Sequence, residues 1–415
     1  ARTAWEGLAI NLLEPARVVV RDGVAEIERL VLSPGGGRVS VTGSAGETLA
    51  IDLALAGLPL TSVNAVAPGA GLSGGLSGDV RIRGAASAPV VQYDLNASDV
   101  RAAAASSVSD VPLSISATGG FEADRLRFDA RASGGGLAFT ATGGLSTSGA
   151  RAISAQINGS VPFSLLSGAI AKQGLTLTGT AQANISIGGS LGGPEISGSI
   201  TTSGSRLVDG RSGIALDNLA ADIGLAPGQA SIRSLSANLS SGGRISGSGA
   251  VAIDPAGNFP ADLNLKVERG RYADGQMVAT RFDADLTLSG PLTARPQLGG
   301  TVLLDETTIT VPDTLPSSIA SLDVTHKNAS ADIQSQAERL SGDGEGSSSG
   351  GLGLDLRVQA SRIFIRGRGM DVELGGSLRL TGTTGSPIAA GGFDLVRGRL
   401  SVLGKRLEFT RGSLG

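Results

Sequence analysis

The sequence predicts an all-β protein: a long, curved, mostly antiparallel sheet forming an open trough with a hydrophobic groove, plus one or two short helices. Three observations carry this. Apolar and polar residues alternate in short runs, the period of a strand with one apolar and one polar face. Glycine supplies 64 of 415 residues while aromatics make up only 3%. One glycine–proline pattern recurs along the chain at near-regular spacing.

The first copy of that pattern is VRIRGAASAPVVQYDLNA, at 80–97. The second is ISIGGSLGGPEISGSITT, at 185–202. The third is LTLSGPLTARPQLGGTVLL, at 286–304, and the fourth LRLTGTTGSPIAAGGFDL, at 378–395. Two apolar residues one apart precede a glycine; a proline follows, then a new alternating run. Measured from Pro89, Pro194, Pro296 and Pro387, the fourth residue on is Tyr93, Gly198, Gly300 or Gly391, and the sixth is Leu95, Ile200, Val302 or Phe393. The prolines are roughly 90 to 105 residues apart. The copies run into each other without charged or proline-rich spacers, so 1–415 reads as one elongated array in which each unit touches its neighbours.

Other runs fill the intervals. PLSISATG (112–119), LNLKVE (263–268), DLTLSG (285–290) and LGLDLRVQA (352–360) show period two. Before the first two copies, proline opens a short apolar stretch with spacing of three or four. Pro59–Val66 and Pro162–Ile170 therefore read as short helices or helical turns. ERLSGDGEGSSSGG, at 338–351, is polar, small and without period, and reads as a flexible loop. Glycines inside the strands mark bulges and bends that would curl a long sheet.

Composition excludes several function classes. The chain is too apolar for disorder, with 40% hydrophobic residues and a net charge of −3. Its basic residues are scattered, and Trp5, Tyr93 and Tyr272 are too sparse for a stacking platform, so no nucleic-acid partner is expected. There is no cysteine and a single histidine, His326, which excludes disulfides, thiolate metal sites and multi-histidine sites. DVTHKNAS around His326 gives no nucleophile-elbow context. GLSGGLSG, at 71–78, lacks the Lys-Ser/Thr ending of a phosphate cradle. Asp94, Asp283 and Asp285 read as solvated surface. No enzyme, cofactor or metal is expected. No stretch reaches the ~20 apolar residues of a membrane-spanning helix. The start at Ala1 and the end in FTRGSLG read as those of a piece cut from a longer protein.

The residues expected to line the groove are Val80, Ile82, Leu95, Ile185, Ile187, Ile200, Leu286, Leu288, Val302, Leu378, Leu380, Phe393 and Leu395. The competing reading of the same residues is the core of a closed sandwich.

Residues 356–414 resemble the C-terminal domain of the TamB family, within the AsmA-like bridge proteins. IFIRGRGMDVELGGSLRLTG and GGFDLVRGRLSVLGKRLEF carry the resemblance, with VPDTLPSSIASLDV (311–324) upstream. It implies a β-taco with a hydrophobic groove in the periplasm of a Gram-negative bacterium, held to the inner membrane by an anchor outside this sequence. It also implies phospholipid as cargo and a TamA- or BamA-type outer-membrane barrel as partner. Two functions go with the resemblance, a phospholipid-carrying bridge between the membranes or an outer-membrane protein assembly factor acting by strand-edge binding; the strand pattern by itself also fits a structural β-solenoid or adhesin.

Overall fold

Almost every described segment of the chain is extended. The computed structural model describes residues 2–5, 8–65, 71–103, 111–149, 151–171, 174–210, 213–275, 277–312, 352–402 and 405–414. His326 and the predicted loop at 338–351 lie outside the described residues, as does Val66. The chain divides into two compact units, Ala1–Arg233 and Ser234–Gly415.

In the first unit, β1 (Arg2–Trp5) and β2 (Leu8–Leu12) form a hairpin. β2 and β3 (Arg17–Arg21) share one edge of β4 (Val24–Pro34). An antiparallel meander follows: β5 (Arg38–Ala45), β6 (Thr48–Pro59), β7 (Leu72–Ala85), β8 (Ala88–Ala102), β9 (Leu113–Glu122), β10 (Arg125–Gly134), β11 (Leu137–Ser146) and β12 (Ile153–Pro162). β12 pairs with β14 (Thr180–Ser190). The short β13 (Leu175–Thr178) and β14 both pair with β15 (Gly193–Asp209), which pairs with β16 (Ala215–Ala226). Strand β17 (Gln229–Leu239) contains the division between the units.

The second unit continues with β18 (Arg244–Ala252), β19 (Pro260–Ala273), β20 (Val278–Pro291) and β21 (Gln297–Thr310), all antiparallel. β22 (Gly353–Gly367) then lies parallel to β21, from Gln297 opposite Gly353 to Thr310 opposite Arg366. The antiparallel order resumes with β23 (Met370–Thr383), β24 (Ser386–Val402), β25 (Lys405–Phe409) and β26 (Ser413–Leu414). In neither unit do first and last strands pair with each other among the described residues, so each sheet is open. This is the mostly antiparallel all-β sheet that the alternation predicts, with one parallel pair.

Each copy of the glycine–proline pattern is one hairpin: β7–β8, β14–β15, β20–β21 and β23–β24. The glycine closes the first strand and the proline opens the second. Gly84 faces Pro89, Gly189 faces Pro194 and Gly382 faces Pro387. Proline is tolerated there because the start of a strand need not donate a ladder hydrogen bond. Elsewhere tight turns use the left-handed pairs suited to two-residue hairpins, Asp22–Gly23 and Arg368–Gly369 among them.

Both predicted helical stretches are helical turns, among the described residues. Leu60–Ala65 is a 3-10 turn, and Phe163–Leu166 is another that runs into α1 (Ser167–Ala171). Stretches this short cannot offset the cost of nucleating a longer α-helix. Pro162 caps the second in extended conformation, and Leu60 is buried in the first.

The pattern's second glycine has a separate role. Gly198, Gly300 and Gly391 face Ile185, Leu286 and Leu378 across the hairpin, with φ of +135°, +126° and +114°. A methyl group at these positions would strike the carbonyl oxygens of Asn184, Asp285 and Ser377. In the first copy Tyr93 holds the equivalent position, and Gly78, opposite Leu95 at φ +143°, supplies the bend. Gly300→Ala is therefore expected to destabilise the protein by roughly 2–5 kcal/mol, through strain and collision together. Gly228→Ala, at φ +74° with open space around it, should cost about 1 kcal/mol. Urea unfolding of the two variants checks the difference; equal costs would remove the steric explanation.

Candidate functional site

Residues directly opposite each other on paired strands project to the same face. The register therefore assembles the predicted residues into rows. In the first unit one row runs Leu53, Val80, Tyr93, Gly119, Phe128, Gly143, Ala155, Ile187, Ile196. Beside it run Leu55, Gly78, Leu95, Ala117, Ala130, Ala141, Ile157, Ile185, Gly198 and Leu225. Ile82 lies between Ile51 and Val91, and Ile200 between Ala183 and Ile223.

The second unit repeats the arrangement. One row is Leu265, Leu286, Gly300, Leu356, Leu380, Ala389. The next is Val267, Ala284, Val302, Val358, Leu378, Gly391. Leu288 sits between Leu263 and Leu298, and Leu395 beside Leu374. Phe393 faces Gly376 and Leu414. None of these rows contains a charged residue.

Of the predicted residues only Phe393 is buried; all the others are half-buried. It belongs to a local cluster with Ala360, Ile363, Val372 and Leu374. In a closed sandwich both inner faces are covered and the inward side chains are lost to solvent. Here most of the apolar face keeps partial access.

β-Bulges keep the face continuous. At Ile27/Leu30, Leu55/Leu58, Ala97/Val100, Thr202/Ser205, Val267/Gly270 and Ala360/Ile363 one strand advances three residues while its partner advances two. The two residues skipped are exposed in every case, for example Glu28 and Arg29, Ser98 and Asp99, and Ser361 and Arg362. Without the extra residue the strand would turn its polar side to the apolar face. Strict period-two reading missed Val100 and Ile363 for this reason. The signal was an apolar residue three places after the last one, with a small or charged pair between.

Two hydroxyl notches interrupt the apolar surface. Thr202 Oγ1 donates to the Thr180 carbonyl at 2.9 Å and accepts from the buried Ser205 hydroxyl at 2.6 Å. Thr280 and Thr307 share a hydrogen bond of 2.7 Å. Tyr93 crosses Gly119, where no side chain would fit, and its hydroxyl donates to the Arg127 carbonyl at 2.9 Å. Burial raises the Tyr93 pKa.

The opposite face is charged. Arg379 grips Asp355 through Nε at 2.7 Å and Nη2 at 2.9 Å. Asp371 meets Arg399 at 2.9 Å and Arg366 at 3.5 Å, while Glu373 pairs with Arg397. Phe364 is an apolar residue on this face. It is buried, with the Arg366 guanidinium 4.7 Å from its ring centroid. Among the described residues no cluster of His, Cys, Asp and Glu could hold a metal ion. No described helix is long and apolar enough to cross a membrane.

Residues 233–414 match the family model described as the TamB C-terminal domain. Over this segment, 182 of the 415 residues, the chain is similar to that domain. No curated protein and no solved structure matches the chain. The TamB match covers all of β18–β26 and extends well upstream of the motifs at 356–414.

The Arg379 hydrogen bonds and charge lower the Asp355 pKa below the usual carboxylate value. The stabilisation from this pair is thus present above the unfolded-state pKa and is lost as pH falls through the lower folded-state value. Arg379→Gln should return the Asp355 carboxyl to the ordinary range, read by carboxyl NMR titration. An unchanged titration would mean that the pair does not form in solution.

Proposed function

We propose that this chain, similar to the TamB C-terminal domain over residues 233–414, acts in the Gram-negative envelope and carries phospholipid between the inner and outer membranes by shielding acyl chains on its apolar face, without catalysis. The observation that supports this reading is the register: row after row in each unit is uncharged, and its side chains remain half-accessible. An acyl chain laid on such a surface leaves water at a gain of about 0.8 kcal/mol per buried methylene. The rows demand no polar partner from it, and the residues from Val80 to Leu395 named above form its contact surface.

A second reading has its own observation. β25 is paired on one side only among the described residues, and Leu407 and Phe409 on it are exposed. An open edge of this kind can accept a strand from a nascent outer-membrane protein or from a TamA- or BamA-type barrel.

Two measurements separate these readings. Photo-crosslinking in cells from position 288 is expected to capture phospholipid, while position 287, on the polar side, does not; equal capture at both positions would sink the face assignment. Leu286→Asp places an unpaired charge among apolar neighbours. It should reduce phospholipid transfer between vesicles at least tenfold, with Thr287→Asp near wild type. Transfer that tolerates Leu286→Asp, together with assembly defects from Leu407→Pro, would favour the strand-edge role.

A further inference from the structure

The margin of the second unit carries a basic cavity that the apolar-face reading does not use. It is an open depression of about 350 Å³ at the end of the β19–β20 hairpin, where Ala273 and Ala279 form the last register pair. Arg271 and Arg281 line it from directly opposite positions on the two strands. Like charges so placed repel each other. Neither guanidinium makes an ion pair among the described residues, although Glu306 faces Arg281 on the next strand and lines the same space.

Hydroxyls complete the lining. Ser241 donates to the Arg271 carbonyl, and Thr280 is committed to Thr307, so neither has a proton to spare. Among the described residues Tyr272 and Thr308 have no side-chain hydrogen-bond partner, and both line the cavity as possible donors. The free donors are then two arginines, a phenol and a threonine, the set that suits a tetrahedral oxyanion. Two guanidinium groups and one carboxylate leave one net positive charge. That balance suits a phosphodiester, which bears a single negative charge, better than inorganic phosphate, which is partly dianionic at neutral pH.

The location narrows the source. Tyr272 and Thr280 share their face with Gly270 and Phe282, next to the apolar rows, whereas Arg271 and Arg281 alternate to the polar side. A ligand seated here reaches both faces at the sheet margin. We infer that this cavity holds the phosphodiester of a phospholipid headgroup while the acyl chains lie on the adjoining apolar face. The inference rests on the proposed lipid-carrying function.

Calorimetric titration of the purified chain with dihexanoylphosphatidylglycerol, dihexanoylglycerol and inorganic phosphate tests it. The double variant Arg271→Gln/Arg281→Gln should bind dihexanoylphosphatidylglycerol at least about tenfold more weakly, the scale of one lost charge-assisted hydrogen bond. Its binding of dihexanoylglycerol should be unchanged. Arg271→Lys/Arg281→Lys should retain much of the affinity, and Glu306→Gln should tighten binding of inorganic phosphate several-fold. Unchanged phosphatidylglycerol binding by the glutamine pair, at equal thermal stability, would overturn the headgroup site. So would inorganic phosphate binding as tightly as the lipid, which would mark a free-phosphate site. If dihexanoylglycerol fails to bind while arginine-dependent phosphatidylglycerol binding persists, the anion site stands and the apolar-face function falls.

Discussion

The backbone of this protein finds its hydrogen-bond partners sideways, in the neighbouring strand, and the rest of the structure follows from that. An antiparallel ladder fixes which residues stand opposite each other. A slip of one residue would exchange the apolar and polar faces of a whole strand. The bulges at Leu55/Leu58 and Val267/Gly270 show how that constraint is managed: the chain accepts an extra residue in one strand and keeps its apolar side in line. The exposed pairs in the bulges turn outward, where water satisfies them.

The two faces divide the work of specificity. Across the apolar face there is little to fix register beyond side-chain size, and small residues opposite large ones recur, as in Gly119 beside Tyr93 and Phe128. The polar face supplies directional contacts, with Asp355 gripped by Arg379 and Asp371 shared between Arg366 and Arg399. Such exposed pairs contribute little stability individually. Their geometry still penalises a shifted ladder, because a slip would place carboxylates and guanidiniums on the wrong side.

Much of this was legible in the sequence. Alternation in LNLKVE and DLTLSG gave the strands, and the glycine–proline pattern marked hairpins before any pairing was known. Every predicted lining residue lies on an apolar row of the register. The parallel pairing of β21 with β22 was not legible, because period two is the same for both strand directions. The phase slips were missed because a bulge breaks the period that defines a strand. Phe364 escaped notice for the opposite reason: its phase assigns it to the polar face, where it is nevertheless buried, with the Arg366 guanidinium over its ring. The cavity between Arg271 and Arg281 depends on cross-strand register, which the two positions alone do not reveal.

Each glycine–proline hairpin returns the chain to the margin from which it left, with the same face presented and a fresh edge exposed. Adding or deleting one such hairpin within an antiparallel stretch leaves the direction and facing of every other strand unchanged. Growth by single strands would reverse the chain, and growth by single residues would invert a face. The hairpin is therefore the natural increment by which a sheet of this kind can change in length, by copy number rather than by redesign of any one strand.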